Sequence, residues 1–166
     1  SIIEGKVWKY GDNINTDIIS PAIYMERNVA EAPKYTMRPI YETFGTEYKP
    51  GDIFVAERNL GSGSSRETAP LVLKELGVKT IVAKSYARIF YRNCINVGIL
   101  TIECAETDKI HKDDVISIDY EKGIIINKTR GEQYAAQPIP PHIAKLVNLG
   151  GLIPYLEHWQ EEHRGQ

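Results

Sequence analysis

Short apolar runs set between polar breaks dominate the middle of the chain. Residues 52–57 (DIFVAE), 79–84 (KTIVAK) and 99–103 (ILTIE) are too short for helices and rich in β-branched residues, which marks buried strands. The stretches between them read as helices. Residues 68–76 form one, closed by Gly77 just past the last turn, where a left-handed conformation is favoured. Residues 86–97 form a second, with Tyr86, Ile89, Phe90, Asn93 and Val97 near one face and Gly98 at its end. Strand, helix, strand, helix, strand is the βαβαβ order of a parallel sheet with crossover helices.

The flanks are patterned differently. Residues 2–10 mix apolar and polar positions and read as a strand, and residues 11–21 (GDNINTDIISP) as a turn-rich loop. Residues 22–48 show no sustained period. Pro33 and Pro39 interrupt any long helix, so short helical turns in an exposed, mobile excursion are expected. Residues 115–120 and 123–128 read as a hairpin around Glu121-Lys122-Gly123. Residues 132–140 lead into an amphipathic helix from His142 to Asn148, and a polar, fraying helix is expected over about 152–166. The expectation is therefore one α/β domain over residues 1–166, with a parallel βαβαβ core and added hairpin strands.

Composition narrows the function. A chain of 166 residues can bury a core of its own. A net charge of −2 supplies no basic field for nucleic acid. No apolar stretch approaches the roughly 18–20 residues that span a bilayer, and the first residues have no signal-peptide pattern. Cys94 and Cys104 are the only cysteines and form no CxxC, while the four histidines are scattered. No metal site or iron–sulfur cluster is expected on this chain, and a reducing, cytoplasmic setting is.

Residues 61–70 (GSGSSRETAP) lie after a strand and before a helix, at the end of an α/β sheet where ligands gather. The loop lacks the Gly-Lys-Ser/Thr of a phosphate-binding Walker loop and the third glycine of a dinucleotide fingerprint. Ser64 and Glu67 have capping-box spacing, but Pro70 fits the first helical turn and moves the helix start towards Glu67–Thr68. Gly61 and Gly63 let backbone amides converge on a ligand, and Arg66 has the planar fork that grips a carboxylate. An anion site for carboxylate or phosphate competes with a plain cap. Asp12 and Asp17 form a second cluster, with Asp12 suited to a turn and Asp17 set just before an apolar pair.

Three segments carry a resemblance. DNINTDIISP, GSGSSRETAP and AKSYARIFYRNCINVGIL occur in the order and spacing of the small subunit of 3-isopropylmalate dehydratase and its relatives, over residues 3 to about 155. That resemblance implies an aconitase-like swivelling β/β/α domain. It implies a heteromeric hydro-lyase of leucine biosynthesis, with a [4Fe–4S] cluster on a large partner subunit and no cofactor on this chain. By motif, Ser64 matches the catalytic serine that takes a proton α to a carboxylate. Ser65 and Arg66 match carboxylate binders, and Asp17 matches an acidic residue that supports the acid–base chemistry by orienting a histidine of the large subunit. Arg88 and Arg92 are expected on a solvated or interface face.

The chain departs from the pattern at two places. Thr68 stands where relatives often have His. Tyr24-Met25-Glu26-Arg27 stands where relatives show Tyr-Leu-x-Thr, which gives Arg27 a substrate-binding role. The substrate is expected to be a 2-hydroxy di- or tricarboxylate: 3-isopropylmalate first, with 2,3-dimethylmalate and homoaconitate as alternatives. A non-catalytic carboxylate-binding module is the rival, and the isolated chain leaves room for a homo-oligomer.

Overall fold

The first strand is the seam of the sheet. The N-terminal part of β1 (Ile2–Lys9) pairs antiparallel with β5 (Val115–Asp119), and its last three residues pair parallel with β2 (Ile53–Val55). β3 (Thr80–Ala83) and β4 (Leu100–Glu103) extend the parallel side, and β6 (Ile124–Asn127) and β7 (Glu132–Ala135) the antiparallel side. The strand order is β4-β3-β2-β1-β5-β6-β7. The computed structural model describes residues 2–21, 29–64 and 67–165.

The parallel strands read as unbroken apolar runs because both their faces are covered. Trp8, Phe54, Ile81 and Ala83 point into one buried cluster; Val7, Ile53, Val55, Val82 and Ile102 point into the other. The crossover helices α3 (Thr68–Leu76) and α4 (Arg88–Asn96) follow β2 and β3 as the pattern predicts. Gly77 closes α3 at φ +100°, its amide donating to the Lys74 carbonyl at 2.9 Å. The buried stripe of α4 is Phe90, Cys94 and Ile95. Ile89, expected inside, is 52% exposed: one position from Phe90, it turns away as the stripe follows Phe90 to Cys94.

The segment before β2 corrects a larger expectation. Over residues 32–48 the chain is packed on the sheet rather than exposed. It holds short turns, as expected: a 3-10 helix over Val29–Tyr35 and α2 (Phe44–Glu47). Met37, Phe44 and Tyr48 are buried. Phe44 meets Trp8, Tyr10 and Phe54 edge-on, with ring centroids 5.1, 5.6 and 5.9 Å away. Burying a side chain of this size contributes roughly 1.5–3 kcal/mol, enough to hold a segment whose regular structure is slight.

The C-terminal part adds two differences. The hairpin β5–β6 forms around Gly123 as expected, but residues 132–135, expected to lead directly into a helix, pair with β6 as β7. Beyond α5 (Pro141–Asn148), α6 (Leu152–Glu162) is less polar on its surface than expected: it buries none of its residues and leaves Ile153, Leu156 and Trp159 exposed. No described helix is long and apolar enough to cross a membrane.

Asp114, just before β5, is 3% exposed and accepts hydrogen bonds from the Asn127 side chain, the His111 amide and Arg130, each at 2.9 Å. Burial pushes this carboxyl up. The bonds from Asn127, His111 and Arg130 outweigh it and hold the group below its ordinary value. A lowered folded-state value stabilises the fold above the unfolded carboxyl's titration and loses that contribution as pH falls through the folded value. Asp114→Asn is therefore expected to flatten the acid side of the stability curve. Urea midpoints compared at neutral pH and below about pH 4 should show the deficit of the variant shrinking with acidification, and a constant deficit would contradict the assignment.

Candidate active site

Two loops leave the C-terminal ends of adjacent parallel strands and run side by side. The loop after β1 covers residues 10–15, and the described part of the loop after β2 covers 56–64. They are stitched together along their length. The Asn13 amide donates to the Arg58 carbonyl at 2.8 Å, and the Arg58 amide donates to the Asp12 carboxylate at 2.9 Å. Further along, the Gly61 amide donates to the Ile14 carbonyl at 2.7 Å and the Thr16 amide to the Ser62 carbonyl at 2.9 Å. The Thr16 hydroxyl then donates to the Ser64 carbonyl at 2.7 Å. Asp12 thus holds the neighbouring loop rather than making a turn of its own.

A third segment closes the arrangement. The Leu60 amide donates to the Ser85 carbonyl at 3.1 Å, and the Ala87 amide donates back to Leu60 at 2.8 Å. The Tyr86 hydroxyl donates to the Ile102 carbonyl at 2.7 Å and anchors this segment on the sheet. A cavity of about 220 Å³ opens between the three, bordered by Thr16, Gly61, Gly63, Arg88, Phe90 and Asn93. Gly61 is required here: at φ +82° a side chain is strained, and a Cβ would lie 2.0 Å from Phe90 Cγ.

Below the loops lies an ionic group that sequence patterning does not reveal, because its members are 24 or more positions apart in the chain. Glu57 sits 3.6 Å from both Lys9 and Lys84, and Lys84 reaches Asp108 at 3.2 Å. Lys9 also donates to the carbonyls of Thr107 and Ile110, both at 2.7 Å. The group ties the ends of β1, β2 and β3 together and sets the spacing of the loops above them. Breaking such a group from one side leaves an uncompensated charge in a largely enclosed place.

The proposed site residues divide by where the structure describes them. Ser64 is exposed on the second loop, and its carbonyl is held by Thr16. Asp17 is exposed in the first turn of α1 (Thr16–Ile19), immediately after the residue that holds Ser64. Asn15, not Asp17, caps that turn, its side-chain oxygen accepting the Ile18 amide at 2.8 Å. Ser65, Arg66 and Arg27 lie outside the described residues, as do Met25 and Glu26. Helix α3 starts at Thr68 with Glu67 as its N-cap and no side-chain cap bond, so Ser64 is not the cap of this helix. Arg88 and Arg92 are exposed, as expected, and Arg88 also borders the cavity.

The described residues do not suit a metal centre. No three His, Cys, Asp or Glu side chains among them come together. Cys94 and Cys104 are both buried, and burial pushes both thiols up, away from the thiolate an iron–sulfur cluster takes as ligand.

Residues 12–107, which include most of the first loop, the second loop, α3, α4 and strands β2–β4, match the aconitase C-terminal domain family. A 3-isopropylmalate dehydratase small subunit of Archaeoglobus fulgidus is 46% identical over 158 residues, covering 95% of this chain and 98% of the relative. The chain belongs to the 3-isopropylmalate dehydratase small-subunit family. Another small subunit of this family, from Nautilia profundicola, is 45% identical and covers 99% of each chain. The crystal structure of 3-isopropylmalate dehydratase from Methanocaldococcus jannaschii superposes with a TM-score of 0.90 at 37% identity, covering 98% of this chain and 97% of that one. The small-subunit fold thus extends beyond the matched segment to the β5–β7 strands and the two C-terminal helices, and the expected aconitase-like α/β fold is borne out.

Proposed function

We propose that this chain is the small subunit of a heteromeric hydro-lyase acting on a 2-hydroxy acid, with 3-isopropylmalate as substrate, in the cytoplasm. What carries this reading is the likeness, over nearly the whole chain, to relatives that bear the small-subunit name. A large subunit is the partner, and the cluster implied by the resemblance is assigned to it, which leaves this chain with anion binding and proton transfer. Ser64 takes the proton from the carbon α to a carboxylate. The neighbouring hydroxyl leaves as water on a proton from the large-subunit histidine, giving an unsaturated acid; water then adds at the other carbon, losing a proton to that histidine, while Ser64 gives its proton to the carbon that lost the hydroxyl. Ser65 and Arg66 hold a substrate carboxylate and Arg27 a second arm, the planar guanidinium giving two parallel bonds to each carboxylate. Asp17 orients a histidine of the large subunit by accepting its N–H.

A module that only binds carboxylates needs the arginine grip but not an exposed serine whose carbonyl is held by the residue before Asp17. The test is turnover of the complex reconstituted with its large subunit, against 2-alkylmalates, 2,3-dimethylmalate and homoaconitate. Turnover of isopropylmalate by the complex and none by either chain alone is expected. Preference for homoaconitate would assign Arg27 to a third carboxylate and change the substrate. Tight malate binding by this chain alone, with no turnover in the complex, would overturn the enzyme reading.

A further inference from the structure

We infer that Thr16 is the positioning residue that fixes Ser64 relative to Asp17; the inference rests on the role proposed above for Ser64. Thr16 is 3% exposed, yet its two polar donors both leave its own segment. Its amide donates to the Ser62 carbonyl at 2.9 Å and its hydroxyl to the Ser64 carbonyl at 2.7 Å. The two acceptors flank Gly63, at φ +88°, where a Cβ would have nothing closer than 3.5 Å. The loop is therefore conformationally freest at the residue before Ser64, and Thr16 clamps it on either side of that point.

Thr16 is itself held firmly. Its own carbonyl accepts the Ser20 amide at 2.8 Å, closing the single turn of α1, and Asn15 caps the same turn. The residue that grips the Ser64 backbone is thus covalently joined to Asp17 and locked in the turn that carries it. No other described side chain bonds to the Ser64 backbone, whose own side chain is exposed and packs into no core. Proton transfer depends on placement within a fraction of an ångström, and a displacement of about 1 Å is enough to cost on the order of 100-fold in rate. The hydroxyl of Thr16 acts on the chemistry through Ser64.

The experiment is steady-state kinetics of the complex with its large subunit for Thr16→Val, Thr16→Ser and Ser64→Ala. Valine keeps the shape and the amide bond but removes the hydroxyl donor. Thr16→Val is expected to lower kcat on the order of 10–100-fold with KM little changed, and Thr16→Ser to restore it. A merely structural threonine would lower the melting temperature and leave the kcat of the folded complex alone. Wild-type kcat in Thr16→Val alongside loss in Ser64→Ala overturns this inference and leaves the role of Ser64 standing. Wild-type kcat in Ser64→Ala overturns the role of Ser64 and this inference with it. Should Thr16→Val not assemble, Thr16→Ala removes the same donor with less bulk and is judged by the same criterion.

Discussion

Ser64→Ala in the assembled enzyme is expected to lower kcat by a factor on the order of 10²–10⁴, the range supplied by a positioned proton-transfer group, with the fold intact. The structure separates these two outcomes. The Ser64 side chain is exposed, so its removal opens no cavity. The bond that fixes the loop here is accepted by the Ser64 backbone carbonyl, and alanine keeps it. Helix α3 takes Glu67 as its N-cap, so no helix cap is lost. A serine that served only as a cap would show the reverse pattern, a stability loss of about 1 kcal/mol with turnover retained. Kinetics of the reconstituted complex, read beside the thermal melt of the variant, distinguish the two. An unchanged kcat would remove Ser64 from the chemistry.

The parallel half of the sheet was legible because burial on both faces writes itself into the chain. Residues 53–56, 80–83 and 99–102 are almost wholly apolar, and Gly77 and Gly98 stop the intervening helices at positive φ. β7 was not legible: of Glu132, Gln133, Tyr134 and Ala135 only Tyr134 is buried, so no alternation stands out. The segment over residues 32–48 misled for a related reason. Met37, Phe44 and Tyr48 are core residues reached by single turns, and single turns have no period to detect. At the site, chemistry alone left the 61–70 loop between a cap and an anion site. The roles of Ser64 and Asp17 came from the resemblance. Thr16 passed unnoticed because a threonine before an aspartate has no signature; its part depends on a loop 48 positions away.

Gly61→Ala is expected to destabilise the chain by about 2 to 5 kcal/mol, the sum of a left-handed backbone strain and an overpacked core contact. Gly61 has φ +82°, and an added Cβ would lie 2.0 Å from Phe90 Cγ and 2.4 Å from its Cβ. Phe90 borders the site cavity but cannot easily withdraw from the contact. It is 3% exposed, carried on α4, and packed in the cluster that contains Leu60 and Ile81. The loop cannot easily withdraw either, because the Gly61 amide is bonded to Ile14 and Leu60 is bonded on both sides to the segment after β3. Gly131→Ala isolates the backbone part. That residue has φ +66° and open space around its missing Cβ, so only the strain should appear. Denaturant midpoints of the two variants should differ by the cost of the Phe90 contact, and equal losses would mean that the contact relaxes freely. If it does not relax, the displaced loop carries Ser64 with it. Gly61→Ala complexes that still assemble should then lose turnover out of proportion to their lost stability.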